Sequence, residues 1–290
     1  MGRPLRMVEP EGIYFVTARC QQARLLMRPS ADVNQTIGAV LVRALKRFDD
    51  IELFAFVVAS NHVHLMLRSR RQQIPAFMQY LLSNVAKRVG LLAGWSGKFW
   101  GRRYDAAPVL DDEATMGRLR YILAHGVKEG LVDRCAEWPG LSSLQELLGD
   151  EPRVFAWNEH EKVGAPLRLT TLPCWNDGPR SDRRRAVEDM LAEIEREARV
   201  TRSDQQSLSA RRVLAQDPLS RPRNVSRSAR PLCHATARDG RGEYEQKYVV
   251  FAAAYREASA AYRAGDLAVE FPAYAYRPPW TTALSLRLAA

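Results

Sequence analysis

The chemistry-bearing residues of this chain sit at two places. The first is Asn61-His62-Val63-His64-Leu65. On a strand, alternate residues share a face, so His62 and His64 point one way and Val63 the other. Two imidazoles on one face suit a divalent metal ion, but two partly exposed strand histidines have the same pattern. The second place is a helical run holding Tyr121 and His125, four apart and therefore neighbours on the helix surface. Met116, Leu119, Leu123 and Val127 form the apolar stripe of that helix. Tyr121 and His125 lie roughly opposite it, with Arg118 and Lys128 on their side. The wheel alone is also that of a surface tyrosine and histidine. If the helix crosses the strand pair, three of the chain's five histidines converge beside a phenol and several cations. A hydroxyl beside a metal and cations is what attack on a phosphodiester requires.

The elements that must position these groups can be read from periodicity. Gly12 to Arg19 (GIYFVTAR) is expected as a strand. Ala31 to Phe48 is expected as a helix, with Ile37, Val40, Leu41 and Leu45 on its buried side. Ile51 to Val58 and Val63 to Leu67 form a hairpin turned at Asn61, whose side chain can satisfy local backbone groups. Ile74 to Leu92 is a second helix with Pro75 tolerated in its first turn. Asp111 to Lys128 is a third, with Asp111, Asp112 and Glu113 capping its start. Strands pairing around helices give an α+β sandwich.

Beyond Asp150 the pattern changes. Residues 151–182 read as a connector with short local structure. Arg183 to Val200 reads as a charged amphipathic helix and Glu243 to Ala264 as another. Ser203 to Gly242 is rich in Arg, Ser and Pro, and Phe271 to Trp280 is a Pro-aromatic tail. Tyr248, Phe251, Tyr255 and Tyr262 recur at helical spacing, the mark of core packing.

The formal net charge of +10 points to a polyanionic partner, because surface cations displace counterions from phosphate. Lys98 to Tyr104 (KFWGRRY) interleaves cations and aromatics, a mix that suits backbone neutralisation plus base stacking and equally a basic loop over an apolar core. Arg19, at the end of the first strand, is a further phosphate candidate. The four cysteines lack paired spacing, so no zinc ribbon is expected, and isolated cysteines fit a reducing cytoplasm. The first ten residues lack the apolar stretch of a signal peptide, and no segment is long and apolar enough for a membrane span.

The ordered combination of GIYFVTAR, FVVASNHVHLMLR, KFWGRRYDAAPVL and RYILAHGVKEGLVDRCAEWPGLSS resembles the IS200-like transposase domain, and more closely the REP-associated tyrosine transposases. The resemblance spans Gly12 to about Ser143. It implies an α+β fold with an antiparallel sheet flanked by helices (the HUH, ferredoxin-like or RRM-like core), followed by a mostly helical C-terminal extension. The implied division is a transposase domain over 1–150, a connector over 151–182 and an extension of unknown role over 183–290.

By the same resemblance Tyr121 is the nucleophile and His62 and His64 are metal ligands. The family carries Asn or Gln four residues after the tyrosine and Pro after that Asn. Here His125 and Gly126 stand in those places, so the third ligand would be an imidazole. The cofactor is then a divalent ion, Mg²⁺ or Mn²⁺, with three imidazoles favouring the softer Mn²⁺. The implied reaction is cleavage and rejoining of single-stranded or hairpin DNA through a 5′-phosphotyrosine. Asn61, Lys98, Arg102, Arg103, Arg118, Lys128 and Arg19 are the candidate DNA contacts. The chain would act as a monomer or homodimer, without a membrane. A fold retained only for binding hairpin DNA or RNA, and an unrelated three-histidine metallohydrolase that does not need Tyr121, are the competing readings. Tyr104 is the next candidate nucleophile.

Overall fold

A computed structural model describes residues 5–157, 164–175, 178–202, 206–222 and 231–275. Parts of the Arg-Ser-Pro-rich stretch and of the Pro-aromatic tail lie outside these residues. Four strands form the main sheet: β1 (Ile13–Arg19), β2 (Ile51–Val58), β3 (His62–Ser69) and β4 (Asp105–Val109), in the order β2-β3-β1-β4. Every neighbouring pair is antiparallel.

Strand alternation sorts the side chains into two layers. Tyr14, Val16 and Ala18 of β1 and Val63, Leu65 and Leu67 of β3 are buried with α1 (Ala31–Arg47) and α2 (Ile74–Leu92). Phe15 of β1 and Met66 of β3 are buried on the opposite face with α3 (Asp112–Leu123) and α4 (His125–Lys128). His62 and His64 share the parity of Met66 and belong to that second face. The Ser30 hydroxyl caps α1 by accepting from Val33 N at 3.1 Å. Asp111 caps α3 by accepting from Ala114 N at 2.6 Å. Pro75 occupies the first turn of α2, as its missing N–H permits.

Two expectations need adjustment. The single helix expected over Asp111 to Lys128 is two, because Ala124 (φ −71°, ψ −11°) tightens the turn between α3 and α4. The register survives the break, since Lys128 N still donates to Ala124 O at 2.7 Å. The segment DAAPV, read only as part of an aromatic-basic stretch, is the edge strand β4. Pro108 cannot donate to a ladder, and an edge is where a strand tolerates it.

The chain after Leu123 closes over this core. The short helix α5 (Leu144–Leu147) is followed by a two-stranded ribbon, β5 (Val154–Phe155) with β6 (Ala165–Pro166), inside the expected connector. The long helix α6 (Arg180–Arg202) buries Val187 and Ile194 in the same cluster as Leu119, Ile122, Leu123 and Val127. After the short α7 (Ala210–Leu214), α8 (Arg238–Arg263) packs Tyr244 and Phe251 against Met7, with Tyr248 and Tyr255 alongside. Of the aromatic stripe expected as core, Phe251 is buried and Tyr248 and Tyr255 are partly buried beside it, while Tyr262 lies outside this cluster and meets Phe271. No described helix is long and apolar enough to cross a membrane.

Both rims of the sheet receive extra chain. Along β2, Val58 N donates to Leu141 O, Ser143 N to Phe56 O and Thr170 N to Leu53 O. At the end of β4, His234 N donates to Pro108 O and Leu110 N to His234 O. Trp138 fixes the first of these additions, its indole N–H reaching Val58 O at 3.2 Å. Gly140 makes that approach possible: a Cβ there would lie 2.5 Å from Trp138 Nε1 and 2.8 Å from Val58 O. Replacing Gly140 with Ala is expected to break the indole hydrogen bond and cost about 2 kcal/mol in a urea melt, through overpacking and a stranded buried donor. An unchanged midpoint would show that the loop shifts freely.

Candidate active site

The hairpin turn that carries the imidazoles is held by backbone from the segment after β1. Cys20 N donates to Asn61 O and Met27 N to Ser60 O, both at 2.8 Å. Gln22 and Ala23 in that segment have φ of 54°, a left-handed conformation that costs non-glycine residues energy. The Asn61 amide donates from Nδ2 to Ala23 O at 3.1 Å, so its Oδ1 faces His62 Nδ1 at 2.5 Å. An amide oxygen only accepts, so His62 carries its proton on Nδ1 and leaves Nε2 with a lone pair.

His64 is fixed from the other side. Its Nδ1 lies 2.8 Å from the Thr17 hydroxyl, Thr17 being its cross-strand partner. His125 arrives from α4. The three rings have centroids 4.7 to 5.4 Å apart, and one potential ligand atom from each lies within 4.8 Å of the others. Their exposures are 8%, 5% and 2%, which rules out a pair of solvated strand histidines and a surface His125. His64 Nε2 and His125 Nδ1 are buried without a hydrogen-bond partner. Such orphans cost about 1–3 kcal/mol each unless something engages them. A divalent cation does so by accepting the lone pairs.

Electrostatics keep those lone pairs available. Burial, helped by neighbouring His125 and Arg19, holds His62 well below the usual histidine range. Burial likewise depresses His64, with His62, His125, Arg19 and Arg118 adding to it. His125 is brought down to about 4 by burial, Lys128 and Arg19. All three are neutral at pH 7, the form that binds metal.

Tyr121 stands over this cluster. Its ring is perpendicular to His64 with centroids 5.2 Å apart, and edge-on to Phe15 at 5.8 Å. Its centroid is 6.1 Å from that of His125. The Arg118 guanidinium lies 5.2 Å and the Lys128 ammonium 4.4 Å from the phenol ring. Burial raises the phenol pKa, as does Glu129, while Arg118 and Arg19 oppose them. The phenol is half-buried, open enough for a substrate to reach. The wheel placed Tyr121 and His125 away from the core. They instead face the sheet, because the helix lies between the sheet and α6 and is buried on two sides.

The remaining candidates are distributed as follows. Arg19 is half-buried and pairs directly across from His62, on the same face. Asn61 is occupied within the protein by Ala23 and His62. Lys98, Arg102 and Arg103 are exposed, and Arg102 pairs with Asp105 at 2.7 Å. The aromatics among them are packed inward: Phe99 and Tyr104 are buried, and Trp100 donates its indole N–H to Leu82 O at 2.8 Å. Arg6 lies 3.5 Å over the Tyr104 ring. Gly126 lies beneath Trp138 and Val132, where a Cβ would come within 3.0 and 3.1 Å. His234 escaped sequence reasoning as part of this face. It packs edge-on to Phe15 at 5.5 Å, and no local pattern announces it.

A sheet face presenting clustered neutral imidazoles beneath a helix-borne phenol, with cations alongside, forms a site with the donor set to hold a divalent ion. Residues 20–124, which include His62, His64 and Tyr121, match the family model described as Transposase IS200 like. His125 lies one residue beyond the match. No curated protein matches the chain. Among solved structures, a REP-associated tyrosine transposase bound to a REP hairpin aligns with a TM-score of 0.45 at 16% identity, over 58% of this chain and 99% of that one. A candidate transposase from Deinococcus radiodurans R1 aligns with a TM-score of 0.30 at 20% identity, over 38% and 87%.

Proposed function

We propose that this chain cuts and rejoins single-stranded DNA, presented by a hairpin, through a covalent bond to Tyr121. The observation that carries the reading is the phenol placed 5.2 Å from the His64 ring above three neutral, buried imidazoles. His62, His64 and His125 would hold a divalent ion. When bound, that ion supplies Lewis-acid polarisation of a non-bridging phosphate oxygen. The inward placement of His125 supports a complete ligand set in spite of its departure from the family's amide. Three imidazoles favour Mn²⁺ over Mg²⁺.

The chain's own groups account for the rest. Tyr121 Oη attacks phosphorus in line, its bond to phosphorus forms and the bond to the 3′-oxygen breaks. The phenol proton leaves to solvent, and the departing 3′-oxygen takes one up. Arg118, Lys128 and Arg19 offset the charge that accumulates as a phenol of raised pKa ionises beside phosphate. The phosphotyrosine keeps the phosphodiester energy, so a later 3′-hydroxyl can reverse the step without ATP. Lys98, Arg102 and Arg103 supply backbone neutralisation along the strand. Covalent capture of a 3′-labelled hairpin oligonucleotide on a denaturing gel tests the proposal directly.

Thr17 acts here through His64. Thr17→Val keeps the shape of the side chain and removes its hydrogen bond to Nδ1. Loss of such a partner is expected to weaken divalent-ion binding about 10- to 100-fold, measured by calorimetric titration with Mn²⁺. Unchanged affinity would remove Thr17 from the centre.

A further inference from the structure

The C-terminal segment around His234 is paired to the sheet in a way that gives it a place in the site. His234 N donates to Pro108 O at 2.8 Å and Leu110 N donates to His234 O at 2.9 Å, forming a parallel bridge to Val109. Paired residues project to the same face, and Val109 faces the cluster that contains Phe15. The His234 ring accordingly meets Phe15 edge-on at 5.5 Å. Phe15 also stacks on His64 at 5.0 Å, touches Tyr121 at 5.8 Å and lies 5.6 Å from the Arg118 guanidinium. One ring thus separates the imidazole cluster from His234, with Arg118 above it.

Asp111 fixes this geometry. One of its carboxylate oxygens accepts from Ala114 N in the first turn of α3, and the other accepts from Thr236 N at 2.8 Å. The helix that carries Arg118 and Tyr121 and the segment that carries His234 are therefore tied through a single side chain. His234 is half-buried and remains reachable. Burial, with Arg118 and Arg241 nearby, brings its pKa down to about 4, so at pH 7 it is a neutral ring with one N–H to donate.

We propose that His234, together with Arg118, holds a DNA phosphate next to the one that Tyr121 attacks, so that the C-terminal extension contributes a substrate contact. This rests on the single-stranded DNA reading above. A strand whose scissile phosphate lies over His64 and Tyr121 carries a neighbouring phosphate past Phe15, toward the pair of donors.

The test uses the full chain and a hairpin oligonucleotide with single-stranded arms, selected by the protein from a pool with randomised arms. A series of versions, each with one methylphosphonate in place of a phosphate, is titrated by fluorescence anisotropy. The parent protein is expected to lose affinity at several positions. His234→Phe keeps the ring against Phe15 and the backbone bridge but has no donor. It should bind the unmodified strand about 10-fold more weakly and lose sensitivity at one position only. His234→Gln, which restores a donor, should recover that sensitivity. A His234→Phe protein with the parent's affinity and full profile overturns the inference while leaving the proposed function intact, as does a Gln variant that behaves like Phe. A parent protein that binds no member of the pool overturns the proposed function and this contact with it.

Discussion

Tyr121→Phe is expected to abolish covalent capture of a hairpin oligonucleotide while leaving its binding nearly unchanged. The substitution removes one oxygen. The ring keeps its perpendicular contacts with His64 and Phe15 and its place under Arg118 and Lys128. The fold and the cation cluster should therefore persist, and a change in affinity would signal something other than loss of the nucleophile. The chemical consequence is large because no other oxygen replaces the one that bonds to phosphorus. A drop of at least about 10⁴-fold in cleavage rate, about 5 kcal/mol of barrier, is expected. The readout is the protein-linked, 3′-labelled strand on a denaturing gel. If the adduct persists in the variant, another nucleophile is at work. If the parent cuts without ever forming an adduct, the centre activates water, and the three-histidine metallohydrolase reading takes over.

The second large effect concerns the ion. Chelation of divalent metal is expected to stop cleavage, and Mn²⁺ is expected to restore it better than Mg²⁺. The reason lies in the ligand atoms, since neutral imidazole nitrogens suit softer ions than the hard Mg²⁺ does. Filling the site should also stabilise the protein. An ion at 100 times its dissociation constant adds about 2.7 kcal/mol, readable as a rise of several degrees in a thermal melt. Two variants separate the ligands from general packing. His64→Ala should lose both the thermal shift and cleavage, because it removes the ligand best fixed by its neighbours. His125→Asn returns the oxygen donor that the family resemblance places there and should move the preference toward Mg²⁺. If Mn²⁺ shifts the melt of His64→Ala as it does the parent, the ion binds elsewhere.

Much of this site is legible in the sequence because its parts follow local periods. His62 and His64 are two apart on a strand whose alternate neighbours Val63 and Leu65 are apolar, so their shared direction follows from strand geometry. Tyr121 and His125 are one helical turn apart whatever the helix packs against. What escapes is set by distant chain. The burial of His125 depends on a helix crossing the sheet and on α6, whose Val187 and Ile194 join the cluster around Leu119. The helical wheel, with one apolar stripe in view, shows only one of the two buried sides. Strand β4 escapes because Asp-Ala-Ala-Pro-Val has few strand formers. It pairs as an edge through its position beside β1. The aromatics of KFWGRRY illustrate the opposite case. Composition leaves base stacking and core packing open, and only the fold assigns Phe99 and Tyr104 to the interior. His234 is the hardest of all to foresee, since more than a hundred residues separate it from the strand it joins.

The chain laid against the outer rims of the sheet has a bearing on how copies of this molecule can meet. Leu141, Ser143 and Thr170 take up hydrogen-bonding groups along β2, and His234 takes up those at the end of β4. A dimer made by zipping two sheets into one continuous β-layer would first have to peel this chain away and expose its backbone. Self-association that leaves the fold intact is thereby directed to helix faces and loops, and the rims are shielded from the runaway strand addition that leads to fibres.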